Sequence, residues 1–364
     1  MSTTAADPTG TGPSVGEPTE APPAPPPTRP PLGRRALTGL SFTNIGAVYV
    51  WIVIIVVFSF WAPDTFPTWQ TFQQVLNSNA VTGLVALSVV PPLAARVFDL
   101  SIAYTMSLTG VITAKVIIST DIGAGGAIAL AMGTALVIGV INGIVVVTLR
   151  VDSFIATLAT GSLIQAFITM FTDGTSITGV KLLREPFASI GQKSAGGFTI
   201  PVLYLLVVAV ALWFVLEHTA SGRRLYATGF NSDAARLQGV PTDRLRFLTL
   251  VASSAIAGCA GVVFASQIGS GSPEAGTPYL LSSYAAAFVG ATQLRAGRFN
   301  SWGTVIAILL LGTGTVGLGL ATSAQWAPSL FTGLVLIVAL VVTGGRLGLR
   351  TRLTRRRAPR KGAA

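Results

Sequence analysis

In ARVFDLSIAY, residues 95–104, an arginine and an aspartate stand three positions apart between two apolar runs. A carboxylate at membrane depth costs about 3 kcal/mol on insertion scales, so such residues tend to be functional. Asp99 has two chemistries open to it. It can accept hydrogen bonds from a polar solute, or it can cap a helix start while Arg96, one turn earlier, balances its charge. A second charged stretch is GRRLYATGFNSDAARLQGVPTDRLR, residues 222–246, with five arginines and two aspartates. It lies between IPVLYLLVVAVALWFVL and FLTLVASSAIAGCAGVVFA, so it must sit outside lipid. Within it, NSDAARLQGV reads as a short helix. Asn231 or Ser232 caps it, Asp233 occupies the first turn, and Gly239 stops it.

Other chemistry is scarce. The chain has one cysteine, Cys259, and one histidine, His218. That excludes an intramolecular disulfide, a CxxC redox pair and a Cys-based zinc site, and it argues against a His-ligated metal. ASIGQKS (188–194) lacks the first glycine and the GK pair of a phosphate-binding loop. GTGTVG (312–317) fits G-x-G-x-x-G but lies inside an apolar run with no preceding strand, which suits helix packing. Gly139 and Gly143 form a GxxxG pair with the same reading. No nucleophile, base and orienting group occur together, so the reading is a chain that is not an enzyme and carries no cofactor or metal of its own.

The elements that must position these residues are apolar. Of 364 residues, 51% are hydrophobic and 10% charged, and the mean hydropathy is +0.68. Soluble proteins carry roughly 25% charged residues, so lipid must cover much of this surface. The fold class expected is all-α: a polytopic membrane protein with about ten spans, at 46–62, 80–96, 102–119, 125–148, 154–172, 200–217, 247–268, 279–293, 303–321 and 327–344. Pro91-Pro92, inside the second, is expected to break or kink it. Residues 1–33 hold ten of the 21 prolines and read as a disordered tail. Residues 34–345 form the membrane domain, with 222–246 as its longest loop on the inner side, and 346–364 a basic tail.

Orientation follows from Lys and Arg in short loops. With the N-terminus inside, the inner segments hold Arg34, Arg35, Arg150, the arginines of 222–246, Arg295, Arg298 and the basic tail. The outer segments hold Asp64, Asp121, Glu274 and a mixed loop at 173–199. Both termini are then cytoplasmic. The net charge of +11 sits in loops and tail beside spans, where topology accounts for it without nucleic acid.

Four stretches resemble, in order, the permease subunits of bacterial ribose/xylose/galactose-type ABC importers, in a wider family with branched-chain amino-acid permeases. FDLS (98–101) is similar to the family's G-G-I-D-L-S. ALVIGVINGIVVVTLRVDSFIATLAT (135–160) resembles G-x-x-N-G followed by P-x-F-I-x-T-L. YATGFNSDAARLQGV (226–240) resembles A-x-G-x-N-x-x-A-x-x-x-G-I, and FVGATQLRAGRFNSWGT (288–304) resembles L-G-G-T-S-L-x-G-G-x-G-x-x-x-G-T. Arg96 and Val97 stand where the family has paired glycines, Ala103 replaces another, and Arg295, Ala296 and Phe299 alter the last motif.

The resemblance implies a subunit in the bacterial cytoplasmic membrane that moves a monosaccharide inward by alternating access. Nucleoside or branched-chain amino-acid import is the neighbouring reading, and an ion-coupled carrier using Asp99 is the reading from another class. It also implies partners: a second permease copy, two cytoplasmic ATPase subunits that hydrolyse the ATP, and an extracytoplasmic solute-binding protein. Candidate pathway residues are Asp99, Ser101, Asn142, Thr157 and Gln165. Candidate ATPase-coupling residues are Asn231, Asp233, Ala234, Ala235, Arg236 and Gly239.

Overall fold

A computed structural model describes residues 42–339 apart from 295, 296 and 323, with residues 2 and 341 besides. Contacts divide the chain into Met1–Gly39 and Leu40–Ala364, and apart from Ser2 the described residues lie in the second unit. The tails read at 1–33 and 346–364, and Arg295, lie outside the described residues.

Ten apolar helices cross this unit. They are α1 (Phe42–Trp61), α2 (Trp69–Ala94), α3 (Ile102–Ser119), α4 (Gly123–Gly143), α5 (Ser153–Thr172), α7 (Ile200–Trp213), α10 (Thr242–Ile268), α11 (Thr277–Ala291), α12 (Ser301–Thr322) and α13 (Ala327–Ala339). α4 and α7 each widen into a π turn, over Ile144–Thr148 and Phe214–His218. Among the described residues, seven helices are long and apolar enough to cross a bilayer. Short α6 (Phe187–Gly191), α8 (Ala220–Phe230) and α9 (Ser232–Leu237) lie in the loops. Two two-stranded ribbons, β1 (Ile177–Thr178) with β4 (Ser270–Gly271) and β2 (Ser194–Ala195) with β3 (Phe198–Thr199), are the strands among the described residues. The chain is thus an all-α polytopic membrane protein.

α2 and α10 form the centre. The most apolar window of α2 is 72% buried by protein, against 28% for α5 and α7, so other helices cover α2 while most of α5 and α7 is left exposed. α10 packs on α2, α3 and α4. Its closest approach uses the GxxxG pair: a Cβ on Gly139 would stand 2.7 Å from Val251 Cα, and one on Gly143 2.5 Å from the Phe247 ring. The motif therefore joins two helices of one chain.

Two expectations need correction. The second span begins at Trp69, not near residue 80. Gln73, Asn77 and Asn79 dilute the apolar signal, but their amides are bonded. Gln73 and Asn77 donate to the carbonyls of Gly196 and Gly197, Asn77 accepts from the Thr199 N–H, and Asn79 donates to Val75. The prolines do not break the helix where they stand. α2 runs through Pro91 and Pro92 to Ala94, although each proline lacks the N–H that would bond one turn back; the break follows at 95–101.

Candidate functional site

The break between α2 and α3 is built so that each backbone N–H from Ala95 to Ser101 has a partner. Ala95 donates to Pro91 and Pro92, Arg96 to Leu93, and Val97 to Pro92. The next four bond to side chains. Phe98 N–H reaches Ser153 Oγ at 3.1 Å, Asp99 N–H the Tyr284 hydroxyl at 3.1 Å, and Leu100 N–H Thr157 Oγ1 at 3.0 Å. Ser101 N–H reaches Asp99 Oδ1 at 3.1 Å. Irregular backbone at membrane depth persists only when it is satisfied in this way. The four side chains come from the start of α5, from α11 and from the break itself, so the break is tied to two other helices.

Asp99 is fully buried. Its Oδ1 also accepts the Ser101 hydroxyl at 2.6 Å, and Ser101 Oγ accepts Asn142 Nδ2 at 2.8 Å. Among the described residues its Oδ2 has no partner, nor has Asn142 Oδ1. Ser253 of α10 faces the carboxylate, but its hydroxyl falls outside hydrogen-bonding geometry and is likewise unpaired. Asp99 thus sits just ahead of the start of α3. Arg96 is not its counter-charge: at φ +57 the chain turns, and the Arg96 side chain is exposed, with no ion pair among the described residues.

Of the candidate pathway residues, Asp99, Ser101, Asn142 and Thr157 are brought together. Gln165 is not: it stands two helical turns beyond Thr157, about 12 Å along α5, and its Oε1 has no partner. Ser153, Tyr284 and Ser253 belong to the group and were not singled out in the sequence. Ser153 opens the stretch containing Thr157, which was a usable signal. A tyrosine 185 residues away from Asp99 offered none.

The 222–246 loop folds as α8 and α9. Asn231 caps α9, its Oδ1 accepting from Asp233 N–H at 3.1 Å and Ala234 N–H at 3.0 Å. At the far end Gly239 takes φ +76. There Val240 N–H bonds to Ala235 O and Gly239 N–H to Arg236 O, the αL stop that glycine permits. Ala235 is buried, and Arg236 is held by Asp243 at 2.7 Å. Asp233 and Ala234 face outward, together with Leu237, which is 86% exposed.

α8 lies on the end of α2. A Cβ on Gly229 would stand 2.0 Å from Ala94 O, so the two backbones touch immediately before the break. Tyr226 OH donates to Phe299 O at 2.6 Å, and Arg298 stacks over Tyr226 and Phe230 at 5.2 and 5.3 Å. These contacts join the loop helices to the break and to the α11–α12 connection. A cavity of about 420 Å³ opens between the three. Beside the middle of α2 and the start of α11, a cavity of about 340 Å³ is lined by Asn79, Thr82, Ser282, Thr315, Ser329 and Thr332 among apolar residues, with no charged group.

A family profile described as "Branched-chain amino acid transport system / permease component" matches residues 71–340. The chain is 30% identical to the ribose import permease protein RbsC of Haemophilus influenzae, over 80% of this chain and 90% of that one. It is 29% identical to RbsC of Escherichia coli K12, over 85% and 96%, and 27% identical to the D-allose transport system permease protein AlsC of E. coli K12, over 83% and 92%. These are transport components rather than enzymes, and they agree with the multi-pass helical architecture. The chain belongs to the branched-chain amino acid transport system / permease component family.

Proposed function

We propose that this chain is the membrane subunit of an ATP-driven importer for a monosaccharide, working as a pair of permeases with two cytoplasmic ATPase subunits and an extracytoplasmic binding protein. Relatives named for ribose and allose support the solute class, as does a relative named for L-arabinose. The charge-free cavity beside the middle of α2 and the start of α11 supports it too: hydroxyls and an amide suit a polyol, and no group lining it pairs with a zwitterion. In this reading α8 and α9 are cytoplasmic and α9 docks the ATPase through Asp233, Ala234 and Leu237.

The observation that carries the mechanism is the contact of Gly229 with Ala94. Movement of α9 reaches the break at 95–101 through α8, to which Asn231 joins it. When the break shifts, the unpaired oxygens of Asp99 and Asn142 become acceptors for solute hydroxyls. ATP binding then drives alternating access through its different affinity for the two permease states. The test is uptake of labelled ribose, arabinose and allose by cells expressing the chain with an ATPase subunit and a solute-binding protein of this importer class. Uptake of one sugar, lost when the ATPase is omitted, is expected. Uptake of leucine or a nucleoside, with none of any sugar, would overturn the solute class.

A further inference from the structure

The 420 Å³ cavity holds two cations with no counter-charge. Arg96 and Arg298 line it, with Phe98, Tyr226, Phe230 and Phe299, and no carboxylate is among its lining residues. Neither guanidinium makes a hydrogen bond or ion pair among the described residues. Arg298 Cζ stands 5.2 and 5.3 Å from the Tyr226 and Phe230 ring centres, and its guanidinium N–H groups remain available to donate. Ala94 and Ala291, the last residues of α2 and α11, also line the cavity. It therefore opens where two membrane helices end.

We propose that this cavity is a binding site for an anionic phospholipid, with the phosphate held by Arg96 and Arg298 and an acyl segment against the aromatic floor. Two guanidiniums suit a phosphate oxygen pair. Basic pockets between helix ends take such headgroups, and the volume is that of a small-ligand site. The apolar floor distinguishes this occupant from a carboxylate on a partner subunit, which would use the arginines and leave the rings bare. A lipid seated here touches α8 and the end of α2 together.

The test is native mass spectrometry of the full chain in detergent, titrated with phosphatidylglycerol or phosphatidylcholine, alongside thermal melting. Wild type should retain phosphatidylglycerol, and its melting temperature should rise with that lipid but with neither phosphatidylcholine nor inorganic phosphate. Arg96→Gly with Arg298→Gln should weaken phosphatidylglycerol binding by about thirtyfold, the effect of losing two cation–phosphate contacts. Arg298→Lys keeps the charge and should retain most of the binding; it also serves as the folded comparison should the double variant express poorly. Equal retention of both lipids by wild type, equal protection by inorganic phosphate, or unchanged phosphatidylglycerol binding in the double variant would each overturn the site. Loss of ATPase co-purification with lipid binding unchanged would assign the arginines to a protein carboxylate instead.

Discussion

Gly229→Ala places one methyl group between the coupling helices and the break. Its Cβ would meet Ala94 O at 2.0 Å, with Ala94 C at 3.1 Å and Ala95 Cα at 3.6 Å. The oxygen is backbone, so no side chain can rotate away; α8 and the end of α2 must separate by about 1 Å to reach even 3.0 Å. Inserting a methyl into a tight contact costs about 1–3 kcal/mol, against a folding stability of about 5–15 kcal/mol, so the variant should still fold. A bias of that size on a two-state equilibrium shifts the populations by about 5- to 150-fold. We expect Gly229→Ala to keep its ATPase on co-purification and to hydrolyse ATP, while solute moved per ATP falls at least fivefold. The assay is paired measurement of uptake and phosphate release in proteoliposomes. Gly133→Ala, where a Cβ meets nothing within 4 Å, is the control and should match wild type. If Gly229→Ala transports with an unchanged solute-to-ATP ratio, the α8–α2 contact does not transmit the motion.

Three further outcomes follow from the same geometry. Asp99→Asn keeps an acceptor for Ser101 and should retain partial uptake. Asp99→Ala leaves the Ser101 N–H without its acceptor and should retain little, with both proteins present in the membrane by immunoblot. Thr157→Val removes the acceptor for Leu100 N–H in a buried position, which costs about 1–3 kcal/mol and should lower the melting temperature, while Thr157→Ser restores it. Leu237→Asp changes an exposed side chain, so stability should move by less than about 0.5 kcal/mol, yet ATPase co-purification should drop severalfold; unchanged recovery would remove Leu237 from the docking face.

The helices were legible because charge and polarity fall at their ends, and the short α9 because Asn231, Asp233 and Gly239 are residues whose local chemistry starts and stops a helix. What misled was polarity serving structure. The amides of α2 hold the β2–β3 ribbon and so hide its first three turns. Arg96 beside Asp99 looked like an ion pair, but three residues are a helical neighbour spacing only if the chain is helical there, and it is not. The Asp99 group could be read only in part. Ser101 and Thr157 lie in stretches that stand out, whereas the Tyr284 contact depends on α11 packing beside the break, which no local pattern encodes. The Gly229 contact is equally silent, since a glycine two positions before an N-cap reads as a turn until Ala94 is seen against it.

The central claim is that ATP held by partner chains, rather than an ion gradient, moves the solute through this chain. Proteoliposomes containing the chain, its ATPase and the binding protein, loaded with or without ATP and given a proton or sodium gradient, test it directly. The account predicts concentrative sugar uptake only with ATP inside the compartment that holds the ATPase, with no response to either gradient. Concentrative uptake by vesicles lacking the ATPase, driven by protons or sodium and abolished by Asp99→Asn, would contradict it.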